Sequence, residues 1–460
     1  MWRTLPVCAL MLFFTSFGWG DDKPVDPNTI VIRLKVKPMA APKPALKYQL
    51  LPELREMNPG NPIHEYTRCF AEQTNFWNTK QQLEKREQWQ SMPLKDLPLK
   101  EIRDFGRGPL DRADYAARMD APNWQMLLKL KSDGIRTLLP DIQQLRNLGG
   151  ALKVRFRFEV AEGRFEDALV TAKTMFALSR HLGEHPTMIC DLVGIAIASL
   201  AIGPIDEMIQ QPGCPNLFWA LTDLPHPFID IRKGLQGERV WTETEFAGLT
   251  DREPMSDREL QRIVQRLLKD FQSNMKPTKG PQRDLNDELK KRLANEDYLH
   301  AARKRLAVYG LTEEKTKEFP PLQIILLDEK MQLEAQRDER AKAMALPYWQ
   351  AEPMLRAAHQ SKKPRPDPLL PDLFVSYDKV KLAQTRLDQR LALLRCVEAL
   401  RLYAAGHDGK LPSKLEDIDL PLPVAPATGK PFSYKVEGET AHLECARLII
   451  QVRYEVTFIK

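Results

Sequence analysis

His181-Leu182-Gly183-Glu184-His185 is the densest grouping of reactive side chains in this sequence. In a His-x-x-Glu-His pattern two imidazoles hold a metal ion and the glutamate activates a water bound to it. That chemistry needs both rings on one continuous helical turn. Gly183 and Pro186 predict that a helix stops here, which would splay the rings. A helix C-terminus also favours histidine through its dipole, with no metal involved. The sequence places no third ligand. Catalytic, cofactor-binding and metal-ligating residues are therefore left unassigned, and no cofactor is expected.

Other candidates are weaker. His407-Asp408 would make an acid–base pair, yet it lies in a Gly-flanked turn, Gly406 to Gly409, and turn chemistry accounts for it. Asp191 sits in an apolar run, where a carboxylate needs a partner or a raised pKa; a structural ion pair with a neighbouring arginine is the expectation. Trp219, Trp241 and Trp349 would suit a sugar or peptide groove, but core or staple packing explains them as well. There is no Gly-rich phosphate loop after a strand, no Gly-x-Ser-x-Gly elbow and no carboxylate cluster at ligand spacing.

The element that must position these residues is Thr187 to Ile202, in which only Thr187, Asp191 and Ser199 are polar. A helix apolar all round is a buried one, and this one is shorter than the roughly 20 residues that span a bilayer. Pro186-Thr187 starts it and Gly203-Pro204 is expected to stop it, with a short helix following through Gln211. Before it, Gly163-Arg164-Phe165 turns into a helix carrying Ala168, Leu169, Ala172, Met175, Phe176 and Leu182. Residues 152–160 are ambiguous. Leu152, Val154, Phe156, Phe158 and Val160 alternate as in a strand, while 145, 148, 152, 156 and 160 make a helix face; the helical flanks favour helix. Pro140 interrupts the tract Asp133 to Leu148. Further helices are expected at about 62–90, 97–105, 110–120, 284–309 and 320–346. Ser256-Asp257-Arg258-Glu259 is a capping box that opens the stripe Leu260, Ile263, Val264, Leu267, Leu268 and Phe271. Residues 228–255 show no clear period, only Trp241 and Phe246 as anchors.

Charged residues make up 28% of the chain and the net charge of +6 is thinly spread, which gives no footing for nucleic acid. Met1-Trp2-Arg3, the apolar run Leu5 to Phe14 and Gly18 with Gly20 read as a signal peptide over 1–20. The chain is thus expected to be exported, periplasmic or extracellular, with no transmembrane segment after cleavage. Residues 21–47 form an extended segment with one strand at Ile30–Val36, and residues 48–360 a helical domain. The Pro-rich stretch 361–374 is a linker, and 375–460 a module of one long helix and strands near 432–436, 441–445 and 448–459. Cys69, Cys190, Cys214, Cys396 and Cys445 remain after cleavage, without a Cys-x-x-Cys; Cys396 with Cys445 is the pairing to test.

Three resemblances follow from these residues. The Gly163, Phe165 and Ala168 spacing resembles the turn of a tetratricopeptide repeat, departing from it at Ala172, over one hairpin only. Tyr403, Gly409, Pro412, Pro426, Thr428, Gly429, Pro431, Phe432 and Tyr434 resemble the globular part of type II secretion pseudopilins, without their cleavage site or apolar stalk. Leu50–Leu54, Asn58–Asn61, Glu162–Phe165, Leu192–Ala198, Gln211–Gly213 and Pro215–Leu221 resemble an uncharacterised family of secreted helical proteins of planctomycete bacteria, which implies export and architecture but no activity. The expected fold is mainly α: a tetratricopeptide-like helical-hairpin array with a small C-terminal α+β module and an N-terminal strand. The expected function is a non-enzymatic scaffold or interaction module with a protein or cell-envelope partner. The alternatives are a metal-dependent hydrolase using His181, Glu184 and His185 (the pattern of inverted zinc peptidases) and an accessory of a type II secretion-like system.

Overall fold

The computed structural model describes residues 29–71, 74–134, 140–274, 284–360, 369, 376–445, 448 and 450–459. The predicted signal peptide and most of the Pro-rich stretch lie outside these residues. The fold is mainly helical with one small sheet. Strand β1 (Thr29–Val36) comes first. Helices α1 (Pro62–Ala71), α2 (Thr74–Asn78), α3 (Lys80–Ser91), α4 (Leu99–Ile102), α5 (Arg107–Ala117) and α6 (Leu127–Asp133) follow. Next come α7 (Pro140–Ala161), α8 (Phe165–Gly183) and α9 (Met188–Met208), then α10 (Phe218–Thr222) and α11 (Arg232–Glu245). The chain continues through α12 (Asp257–Asn274), α13 (Leu285–Leu293), α14 (Glu296–Val308), α15 (Glu313–Thr316), α16 (Pro321–Met344) and α17 (Tyr348–Gln360). It closes with α18 (Tyr377–Gly406), β2 (Ser433–Glu437), β3 (Thr440–Glu444) and β4 (Gln451–Phe458).

Helices α7, α8 and α9 fold back on one another. Gly163 makes the first reversal at a φ of +70°, a conformation that costs other residues a clash at Cβ. Residues 152–160 lie inside α7, so the alternation there is two buried helix faces: Leu152, Phe156 and Val160 face α8 and α9, while Val154 and Phe158 close a second cluster with Trp89, Leu97 and Ile102. Helix α9 is the one described helix long and apolar enough to cross a membrane, and it is buried inside the protein. Its neighbours are α7, α8, α11 and α18.

Here the expected stop at Gly203-Pro204 is corrected: α9 runs on to Met208 with Pro204 inside it. A proline in a helix forfeits one backbone bond. Burial of Ile205 and Met208, with Asp206 tied to α18, holds the extra turn in place.

The sheet order is β1-β4-β3-β2. The first strand of the chain thus pairs in parallel with the last, Ile30 opposite Val452 and Val36 opposite Phe458, while β2, β3 and β4 are antiparallel. One hydrophobic core runs from Leu34 and Val36 through α7–α9 and α18 to Tyr454, Val456 and Phe458. This is the body of the molecule. Residues 246–333 build smaller clusters of their own. One holds Phe246, Leu260, Ile263, Leu299, Ile325 and Leu326; the other holds Leu306, Leu311, Phe319 and Ile324. Helix α16 joins this arm to the body, its early residues in the arm's clusters and Ala343 and Met344 in the body core. The capping box forms as expected: the Ser256 amide donates to Glu259 Oε2 (3.0 Å), and the Glu259 amide to Ser256 Oγ (3.4 Å).

Candidate functional site: the two ends of the buried helix

The His-Glu-His grouping falls on the break between α8 and α9. Helix α8 ends at Gly183, and Glu184 is its C-cap. His181 Nδ1 lies 3.1 Å from the Tyr66 hydroxyl, and His185 Nδ1 lies 2.9 Å from Thr187 Oγ1. Trp124 binds both: its indole N–H donates to the His181 carbonyl (2.8 Å), and its ring meets that of His185 edge-on. Burial lowers both histidines to a pKa of about 4, helped by Arg180 at His181 and by Lys233 at His185. Both rings are neutral at pH 7. Glu184 points the other way and pairs with Lys233 of α11 at 3.0 Å. Among the described residues, no three His, Cys, Asp or Glu side chains group as a metal-binding set.

One turn further on, Asp191 is fully buried, and neither carboxylate oxygen has a hydrogen-bond partner among the described residues. The expected ion pair is therefore not formed. The neighbouring charges are the wrong sign for one: Asp230, Glu238 and Glu184. Burial first, and these acids next, hold its pKa well above the usual carboxylate range. Glu238 is also fully buried and is raised to about 8 by burial, against the pull of the Met188 amide at the start of α9.

What brings these acids together is α11. Its buried residues are Gly234, Gly237, Glu238, Trp241, Thr242 and Glu245, and the half-buried Leu235 also packs against the core. A Cβ on Gly234 would overlap Asp191 Oδ2, and one on Gly237 would overlap the Pro186 carbonyl oxygen. Two missing side chains thus let α11 lie directly on the entry to α9. Sequence reasoning missed Glu238 and the two glycines. The signal was Gly234-x-x-Gly237, one helical turn apart, in a stretch without hydrophobic period.

The far end of α9 is wired differently. Asp206, also buried, accepts a bond from Arg390 Nη2 of α18 (2.7 Å) and one from the Tyr454 hydroxyl of β4 (3.0 Å). The Arg390 guanidinium lies 4.8 Å over the Tyr454 ring. Burial still raises the Asp206 pKa, but Arg390 and Tyr454 oppose it. A second buried pair, Glu398 with Arg401, ties α18 to the 214–217 loop. Glu398 accepts from the Leu217 amide (2.8 Å) and from Arg401 (2.8 Å), and Arg401 also donates to the carbonyls of Cys214 and Lys37.

The remaining candidates are structural. His407 stacks on Tyr403 and spends Nδ1 on the Tyr403 carbonyl (2.8 Å), while Asp408 takes the turn at a φ of +53°. Trp219 packs edge-on with Phe218, Trp241 is buried on the inner side of α11, and Trp349 covers Gly429. Cys396 and Cys445 are buried free thiols, as are Cys190 and Cys214, so the pairing to be tested is not made. Neither a family model, nor a curated protein, nor a solved structure matches the chain.

Proposed function

We propose that this chain is an exported helical scaffold that binds a protein or cell-envelope partner, and that its arm makes the contact. The observation that carries this reading is the sharing of α16 between two cores. A helix of 24 residues is about 36 Å long at 1.5 Å per residue. Its last turn is anchored in the body and its first turns support the arm, so one stiff element ties the two together. Beside the start of α16, at the turn after α14, Val308 is 82% exposed and Tyr309 47% exposed, next to the buried Leu306 and Leu311. This pair of neighbouring exposed apolar side chains is where the reading puts the contact. What supports the reading over a metal site is that His181, Glu184 and His185 are engaged separately, with Tyr66, Lys233 and Thr187.

A photo-crosslinking residue at position 308, introduced into the full chain in its native envelope, tests the reading. A discrete adduct is expected, abolished by Tyr309→Asp. No adduct beyond that given by the same residue at Val170, on the body surface, would overturn it.

A further inference from the structure

The seam between α9 and α11 has a composition that few buried interfaces share. Helix α11 covers Asp191 with glycine and glutamate, and its apolar contacts come from Trp241 and the half-buried Leu235. The Trp241 indole N–H, like both oxygens of Asp191, has no partner among the described residues. A buried carboxylate with no counterion stays in place only as the neutral acid.

Among the described residues no cation hydrogen-bonds Asp191 or Glu238, and the buried Arg337 of α16 is paired with Asp338 at 3.0 Å. On α8, Arg180 donates to the Phe228 carbonyl, Glu184 pairs with Lys233, and His181 and His185 are neutral. Before α11, Asp230 is paired with Arg232. On α18, Asp388 accepts from the Phe228 amide at 3.0 Å. Arg239 of α11 is turned outward to Asp338 of α16. Arg266 of α12 is engaged with the carbonyls of Glu245 and Ala247, and Glu245 lies against Gly134 at the end of α6.

We infer that α11 is a pH-released cover: it sits closed on α9 while Asp191 and Glu238 are protonated, and it loosens when they ionise. The glycines set the closed contact, because a Cβ on Gly234 would overlap Asp191 Oδ2 and one on Gly237 the Pro186 carbonyl oxygen, and both Asp191 oxygens are buried without a partner among the described residues. The sign follows from proton linkage. The closed state binds protons more tightly than the open state, since burial raises both acids. Closure is therefore fully favoured below the ordinary carboxylate range and is lost as pH rises through the raised values, about 8 for Glu238. Each proton released on opening weakens closure by up to about tenfold per pH unit.

Hydrogen exchange of the full chain at pH 5 and pH 9, corrected for intrinsic exchange rates, tests this. Protection of amides 234–245 is expected to fall at least about tenfold at pH 9, while those of α14 in the arm hold their protection. In Asp191→Asn/Glu238→Gln the two pH values should give equal α11 protection. Glu238→Gln alone should show a reduced difference, which keeps the test valid should the double variant fold poorly. Wild-type α11 protection independent of pH, or an undiminished pH difference in the neutral variants, would overturn the proposal.

Discussion

The two ends of α9 bury an aspartate each, and they do so in opposite ways. At the C-terminal end Asp206 has Arg390 and Tyr454, from α18 and β4, converging on it. At the N-terminal end the charges acting on Asp191 are those of acids, and Gly234 lies against its Oδ2. Burial raises both carboxyls, but only at Asp206 does anything push back. The first end is a clip that joins three elements remote in sequence. The second is a contact that depends on a proton. A buried carboxylate thus does not by itself mark chemistry or stability; the sign of the groups brought to it decides which it supplies.

The comparison breaks most sharply at the clip. Asp206→Ala leaves the Arg390 guanidinium buried without its carboxylate, and removing one partner of a buried pair costs about 3 to 5 kcal/mol. Denaturant unfolding should show that loss for the whole body, with Arg390→Met costing less once Asp206→Asn is also present. A loss under about 1 kcal/mol would mean that the clip is not formed in solution. At the other end, Gly237→Ala forces a methyl group onto the Pro186 carbonyl, and overpacking of this kind costs about 1 to 3 kcal/mol. Its exchange signature should be local, with α11 amides losing protection before those of α8; equal loss in both would erase the distinction between clip and cover. The smallest effect is expected at Glu184→Gln, which removes an ion pair exposed on both sides and worth about 0 to 1 kcal/mol. If that variant lost far more, or if purified protein held near-stoichiometric zinc that a chelator removed with a drop in Tm, the His181-Glu184-His185 grouping would have a role beyond structure.

Much of the architecture was legible because hydrophobic period marks elements that bury apolar stripes. That holds for α8 and α12 and for the alternation in β1, while α9 was legible as a run apolar all round. Helix α11 was not legible for the complementary reason: its inner face is mostly glycine and acid, with Leu235 and Trp241 too few to set a period. The run-on of α9 past Pro204 was missed because local propensity yields to tertiary contacts, here Asp206 with Arg390 and the buried Ile205. At the candidate site, the break at Gly183 and the engagement of His407 in its own turn followed from spacing. The isolation of Asp191 did not, since an arginine within reach was a reasonable expectation along the chain.

By itself, then, the amino-acid order determined most of the helices and strands, though not α11 or the end of α9, and it determined that α9 is buried and where α8 must end. These follow from local sterics, caps and the solvation of apolar side chains, which act over a few residues. Only the tertiary structure decided that β1 joins β4 at the opposite end of the chain, that Asp206 meets Arg390, and that Gly234 and Gly237 bring Glu238 over Asp191. Such pairings depend on which surfaces meet after collapse, and the charge of a neighbour 40 or 180 residues away leaves no trace in local pattern.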